Sequence, residues 1–389
     1  MPPDTMPRVP RPLPLVEISG DDARERGRQY GEQARKLIER SLAFYREEFE
    51  RKSGLAWADV VSRVPRWYPL IDEYTPGLLD EVRGIADGSR RTLEEIVALN
   101  GRGELRTRDP FAEATDCTSF VVTDEASGDG HVWCGQNWDW RSETAGTALM
   151  LRLRQPERPT IVTLVEAGQV ARHGANSAGI ALNANGLAAP FQDGLGVPAP
   201  FIRRRTLESA GMDQALEAIF GARQLLSTNV LLTHREGFAI DVETTPARHG
   251  WAYPKDGVYA HANAFTTFVP KQIEQGYRPA SSDSLIRAER VERALRRAPD
   301  ARTSEAMRAL IVEALSDHLG HPNSVCNHPD PCAPRTFETL ASLIVDLTTG
   351  EFWVAGGNPC STEFELLPWN LYEDADPVEP RVATAGARA

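Results

Sequence analysis

The chain has 389 residues, a net charge of −12 and a pI near 5.3. Apolar residues at 41% and charged residues at 25% are ordinary for a globular protein, and they exclude a long disordered, collagenous or coiled-coil chain. The acidic balance disfavours a polyanion, so no nucleic-acid partner is expected.

Residues 1–14 are Pro-rich and carry no apolar h-region. They read as a loose tail without a signal peptide. No apolar run reaches the length of about 18 residues that a membrane helix needs, so the expected location is cytoplasmic. Helical periodicity starts at Asp21 or Asp22 and runs to about Arg51. A second helix is predicted from Gly77 to Asp87, with Leu78, Leu79, Val82 and Ile85 on one stripe. A third starts at Thr92, with Glu95 completing a capping box, and ends near Asn100.

After Thr115 the pattern changes to short segments rich in Val, Ile, Thr and Trp, separated by turns such as Ser127–Gly130 and Asn176–Gly179. Further strands are predicted at Asn229–His234, Phe238–Thr244 and Val258–Phe265. Helices are predicted within Thr206–Ala222 and Ser284–Leu319, and a last hairpin turns at Thr349–Gly350. Residues 373–389 read as a frayed tail. Helices first, then antiparallel strands, then helices between hairpins, make this an α+β layered fold and not a parallel βαβ sheet. The reading divides the chain into a helical segment, 15–116, and a core, 117–372, within one structural domain.

The five Cys are odd in number and form no CxxC pair, so a disulfide scaffold is not expected. Cys117 stands where a helical segment gives way to the first strong strand. Alone it reads as a small buried hydrophobe more readily than as a nucleophile. The residues that follow weigh toward chemistry. Gln136, Asn137 and Asp139 lie in the next strand, where Asn and Asp are poor strand formers. A tight turn is the plainer explanation of the same residues. His318, His321, Cys326, His328 and Cys332 suggest zinc, but their spacing fits no regular finger and the Pro-rich surroundings read as a loop. No metal and no cofactor are therefore expected. Gly174–Gly179 lacks the GxSxG order of a nucleophile elbow, and no phosphate-binding or dinucleotide loop is present.

Cys117-Thr118-Ser119-Phe120, a hairpin, and Gly135-Gln136-Asn137-Trp138-Asp139 together resemble the isopenicillin N acyltransferase family of self-cleaving N-terminal nucleophile (Ntn) hydrolases. Leu99-Asn100-Gly101-Arg102-Gly103-Glu104 is similar to that family's stretch before its cleavage site. Glu166-Ala167-Gly168, Asn176-Ser177-Ala178-Gly179 and Asn183-Ala184-Asn185 resemble its central hairpin, and His261-Ala262-Asn263 its oxyanion segment. The resemblance implies a four-layer αββα sandwich of two antiparallel sheets with helices outside. It also implies cleavage between Asp116 and Cys117, leaving two co-purifying fragments. The new α-amine of Cys117 would then act as base for its own thiol. Asp139 would hold the ammonium, and Asn263 would donate to the oxyanion. Gln136, Asn137, Asn185, Ser119 and Glu104 would support the site.

Three departures argue against carrying over penicillin chemistry. Asp116 stands where the penicillin-forming member has Gly, Asn327 follows Ser324-Val325-Cys326 where that member has Arg, and the first hairpin is longer. The expected activity is hydrolysis of a linear amide such as an N-acyl amino acid or small peptide. Acyl-CoA-dependent N-acyl transfer is the alternative. An uncleaved cysteine hydrolase and an inactive binding protein of the same fold are the other readings. A higher oligomer is possible on this reading.

Overall fold

The computed structural model describes residues 9–105, 117–187, 194–274, 277–279, 281–330, 332 and 337–373. Asp116, residues 1–8 and residues 374–389 lie outside these residues. Strand β1 (Leu15–Ser19) is followed by helices α1 (Ala23–Gln33), α2 (Arg35–Ser53), α3 (Trp57–Ser62), α4 (Tyr68–Tyr74), α5 (Leu78–Ser89), α6 (Leu93–Asn100) and α7 (Arg102–Leu105). Strands β2 (Cys117–Val122), β3 (Trp133–Arg141), β4 (Ala148–Arg154), β5 (Ile161–Glu166), β6 (His173–Asn176) and β7 (Ile180–Leu187) come next. Helices α8 (Ala199–Leu207) and α9 (Met212–Phe220) precede β8 (Ser227–His234), β9 (Ala239–Thr244), β10 (His249–Ala252) and β11 (Val258–His261). The chain continues through α10 (Lys271–Glu274), α11 (Ser284–Leu295), α12 (Ser304–Leu315), β12 (Phe337–Asp346), β13 (Glu351–Ala355) and β14 (Glu365–Leu366).

Among the described residues these strands form two sheets. One has the order β1-β4-β5-β6-β7-β8-β9-β10 and the other β11-β2-β3-β12-β13-β14. Every pairing is antiparallel except that of β1 with β4, which is parallel. The period-two alternation of β2 explains the layering. Cys117 and Val121 point between the sheets, where they pack with Cys134 and Trp138 and with Met150, Leu164 and Leu231 of the other sheet. Phe120 and Val122 point the opposite way, against Val291 of α11 and Ile311 of α12. On the far side, Ile38, Trp67 and Ile96 of the early helices pack on Leu149 and Val165. The order is helix, sheet, sheet, helix, the expected αββα sandwich. Each large apolar side chain buried this way contributes about 1.5–3 kcal/mol.

Local signals explain the helix starts. The Asp22 side chain accepts from the Glu25 N–H at 2.9 Å, and Thr92 and Glu95 form both bonds of the capping box. The helix expected over 21–51 is two helices, with Ala34 off helical geometry at ψ 7° between them. Periodicity does not reveal that break, because the N–H of Ala34 still bonds Tyr30 O and that of Ile38 still bonds Ala34 O. Helices α1 and α5 touch backbone to backbone. A Cβ on Gly27 would lie 1.8 Å from Glu81 O, and one on Gly84 would lie 1.9 Å from Arg24 O. Buried Glu81 is held there by Arg204 at 2.8 and 3.0 Å and by Arg26 at 3.2 Å.

Two expectations need correction. Residues 9–14 of the expected tail are docked: the N–H of Val9 bonds Ser361 O at 2.9 Å and Leu13 is buried. The strand expected over 258–265 stops at His261. There the Glu243 carboxylate accepts the backbone N–H of Thr266 at 2.6 Å and of Thr267 at 3.1 Å, which bends the segment out of the ladder. The same carboxylate takes the imidazole Nε2 of His261 at 3.0 Å.

Candidate active site

Cys117 is the first residue of β2, paired with Trp138 of β3, and its side chain is 1% exposed. Its backbone N–H donates to Asn263 Oδ1 at 2.9 Å. Asn263, just past the end of β11, is oriented at its other end by donating Nδ2 to Gly186 O at 2.9 Å. Thus three elements converge: β2 brings Cys117, β7 brings Gly186 and the bent segment after β11 brings Asn263.

Arg287 of α11, missed in the sequence, ties them together. Its Nη1 donates to Cys117 O at 2.7 Å and to Thr118 Oγ1 at 2.8 Å, and its Nη2 donates to Asn263 Oδ1 at 2.9 Å. Asp283 accepts its Nε at 2.7 Å. A planar guanidinium can hold three oxygens in one plane, which a lysine cannot. No sequence motif marks this residue, because it lies 170 positions from Cys117.

Asp139 lies on β3, next to the partner of Cys117. Its Oδ1 accepts from Thr339 Oγ1 at 2.6 Å. Burial raises the Cys117 thiol above the ordinary cysteine value. The charge of Arg172 opposes this, that of Asp139 adds to it, and the backbone N–H of Asp139 and the charge of Arg287 favour the thiolate.

The supporting residues divide by direction. Gln136 crosses between the sheets, accepting from Ala184 N at 2.9 Å and donating to Ala184 O at 3.3 Å. Asn185 donates to Ser119 Oγ and to Asn229 Oδ1, both at 2.8 Å, so these residues lock β7, β2 and β8 together. Asn137 points the other way: its Nδ2 donates to Leu315 O at 2.9 Å and to Val325 O at 2.8 Å. It braces a loop beside α12 and does not share the inward face of Cys117. Asp116 lies outside the described residues.

Glu104, at the end of α7, accepts from Ala199 N at 2.9 Å. Burial raises its carboxyl to about 7, against the pull of that N–H and of Arg102 and Arg203. Burial also lowers Arg203 to about 9 and Arg172 to about 10. Both feel the charge of Cys117, and Arg203 also that of Glu104. Arg172 stacks over the Trp138 ring at 4.4 Å and donates to His173 Nε2 at 2.9 Å, while burial and Arg172 keep His173 neutral. The guanidiniums of buried Arg172 and half-buried Arg203 both put positive charge within reach of the Cys117 thiol. No sequence signal marks these two residues, since arginines are common in this chain.

Glu104 supplies a test with a definite sign. Its folded pKa lies above the unfolded carboxylate value, so the neutral form stabilises the fold fully only below the unfolded pKa, and this is lost as pH rises through about 7. Glu104→Gln should therefore stabilise the protein by about 2–3 kcal/mol more at pH 8 than at pH 5. Denaturant melts at both pH values measure this; an equal effect at both would show that Glu104 ionises normally.

The family model for acyl-coenzyme A:6-aminopenicillanic acid acyl-transferase matches residues 125–361, more than half of the chain, starting just downstream of Cys117. The chain belongs to that family. It is 28% identical over 222 residues to the 40 kDa form of acyl-coenzyme A:6-aminopenicillanic-acid-acyltransferase of Emericella nidulans. That match covers 57% of this chain and 61% of the relative's length. Among solved structures, penicillin V acylase of Agrobacterium tumefaciens is similar at 16% identity and a TM-score of 0.40, covering 62% of this chain and 83% of its own. A variant of conjugated bile acid hydrolase of Clostridium perfringens is similar at 13% identity and a TM-score of 0.43, covering 65% and 97%. Among the described residues no helix is long and apolar enough to cross a membrane.

Proposed function

We propose that this chain is a self-processing amide hydrolase or acyltransferase whose nucleophile is the thiol of Cys117. The observation that carries the reading is the 2.9 Å bond from the Cys117 N–H to Asn263 Oδ1, with Arg287 holding both residues. In the precursor the thiol attacks the carbonyl of Asp116, the acyl group moves from N to S, and water hydrolyses the thioester. The freed α-amine, with a pKa of about 8, then stands where Asn263 and Asp139 orient it, and takes the proton of its own thiol. No histidine is required.

In turnover the thiolate attacks the substrate carbonyl and expels the amine as the α-ammonium returns its proton. The acyl thioester passes to water or to a second amine. The family membership favours a place for amine acceptors, and buried Arg172 with half-buried Arg203 suits an anionic group on the substrate. An N-acyl amino acid is the simplest linear amide that carries one. Arg203→Met should raise KM about tenfold for an N-acyl amino acid and leave a neutral N-acyl amine unaffected. Equal effects on both substrates would remove the carboxylate from the reading.

The chemistry is tested by mixing enzyme with an activated acyl donor and weighing the protein. An acyl adduct should appear on the fragment that begins with Cys117, and added amine should divert it to amide product. An adduct on any other residue would overturn the assignment. Asn263→Ala should lower kcat by about 10²–10³ with little change in KM, because the amide serves the oxyanion of the transition state. Unchanged turnover would exclude it from the site.

A further inference from the structure

The fold gathers His318, Cys326, His328 and Cys360 at the loop that Asn137 braces through Val325 O. All four ligand atoms lie within 4.8 Å of one another. Cys326 and His328 belong to one loop, His318 follows α12, and Cys360 follows β13. In sequence Cys360 stands 32 residues beyond His328, which is why the spacing of the first group fits no finger. Cys332 and His321 are outside the group of four, although the His321 ring packs 5.2 Å from that of His328.

The distances distinguish a cation site from a hydrogen-bonded cluster. His328 Nε2 lies 3.1 Å from His318 Nε2, 3.4 Å from Cys326 Sγ and 3.4 Å from Cys360 Sγ. One imidazole nitrogen carries either one proton or one lone pair in its plane, so it serves one such partner well and not three. Three convergent contacts on one nitrogen are what a shared metal produces. Tetrahedral zinc, with bonds of about 2.3 Å to sulfur and about 2.0 Å to nitrogen, sets ligand edges of about 3.3 Å between nitrogens and about 3.5 Å between nitrogen and sulfur.

The chemistry of the set agrees. Two thiolates and two neutral imidazoles balance a dication, so both buried cysteines can ionise without leaving net charge inside the protein. Thiolate with imidazole in tetrahedral array selects zinc over the harder divalent ions. A supporting shell is in place: Asn358 Nδ2 lies 3.6 Å from Cys326 Sγ and donates to Asn327 O at 2.6 Å.

We propose that His318, Cys326, His328 and Cys360 bind one structural zinc ion. Four protein ligands leave no open position, so the ion does no chemistry on substrate. It clamps three chain segments together. The clamp also reaches the candidate active site, because Asn327 N–H donates to Thr339 Oγ1 at 3.0 Å and Thr339 Oγ1 donates to Asp139 Oδ1 at 2.6 Å. The proposal does not depend on the assigned reaction.

Its test reads metal and not turnover. Full-length wild-type protein, incubated with zinc sulfate and exhaustively dialysed, should retain about one zinc per chain by elemental analysis. Cys326→Ser/Cys360→Ser should retain none, and Cys332→Ser should retain the full amount. Cobalt(II) in place of zinc should give wild-type protein a thiolate-to-metal band in the near ultraviolet and strong visible bands of a four-coordinate ion. That spectrum keeps the proposal falsifiable if the double variant fails to fold. Wild-type protein that retains no zinc and gives no thiolate band would overturn it. So would full zinc in the double variant, or a Cys326–Cys360 disulfide in the purified protein by non-reducing peptide mass.

Discussion

Purified wild-type protein should resolve into two chains, of 116 and 273 residues, that travel together until denatured. Their masses should be about 13 and about 30 kDa. Cys117→Ala should remain one chain of 389 residues and lose turnover by about 10⁴-fold or more. Cysteine to alanine removes only the sulfur, so the variant keeps the β2–β3 pairing and should melt within a few degrees of wild type. The fragments cannot part, because the first one holds half of a core. Ile38, Trp67 and Ile96 pack on Leu149 and Val165 of the second. Strand β1 pairs with β4 over five residue pairs, Leu15 with Met150 through Ser19 with Arg154. Tyr30 Oη donates to Gln169 O at 3.1 Å, and Asn100 Nδ2 donates to Gly168 O at 2.9 Å. Cleavage therefore removes one covalent bond and leaves the packing. A single band from active wild-type protein would sink the processing reaction while leaving the thiol open as an internal nucleophile. Activity surviving in Cys117→Ala would sink both.

What the sequence discloses is what is local. The capping box of Thr92 and Glu95, the N-cap at Asp22 and the turns at Ser127–Gly130 and Asn176–Gly179 each depend on residues a few positions apart, and the structure has them. The place of Cys117 at the head of a strand is local too, since apolar alternation begins there. What the sequence conceals is pairing across the fold. Arg287 reaches Cys117 from another layer, and Cys360 joins His318 and His328 from beyond the last long strand. Neither has a neighbour in sequence that marks it. The end of β11 was hidden for a related reason: apolar Ala264 and Phe265 continue the pattern, but Glu243, from β9, captures the next two backbone N–H groups. Asn137 shows the reverse case. It sits in the expected cluster with Gln136 and Asp139, yet the pleat turns Asn137 and Asp139 to one face and Gln136 to the other, and only the observed register distinguishes the faces.

Asp139→Asn should change the pH dependence of turnover and leave the fold intact. Asparagine keeps the oxygen that accepts from Thr339 Oγ1, so the link from Asp139 to β12 survives and the melting temperature should stay close to wild type. What disappears is a negative charge beside Cys117. On the proposed reading that charge favours the α-ammonium, so it raises the pKa of the amine. The amine acts as base only when neutral, and the acid limb of the rate profile marks its deprotonation. Removing the charge lowers that pKa, so the acid limb should move to lower pH by about one unit. The plateau should fall by about 10²-fold, because the amine loses the group that aims it at the thiol. Loss of rate with a limb displaced toward acid is a signature that a mere turn residue cannot give. Glu104 titrates at about 7 and is coupled to Arg203, which senses Cys117, so Glu104→Gln is the control that assigns the limb. If Glu104→Gln moves it and Asp139→Asn does not, the limb belongs to Glu104. If Asp139→Asn keeps both full rate and the wild-type profile, Asp139 serves the strand and not the amine.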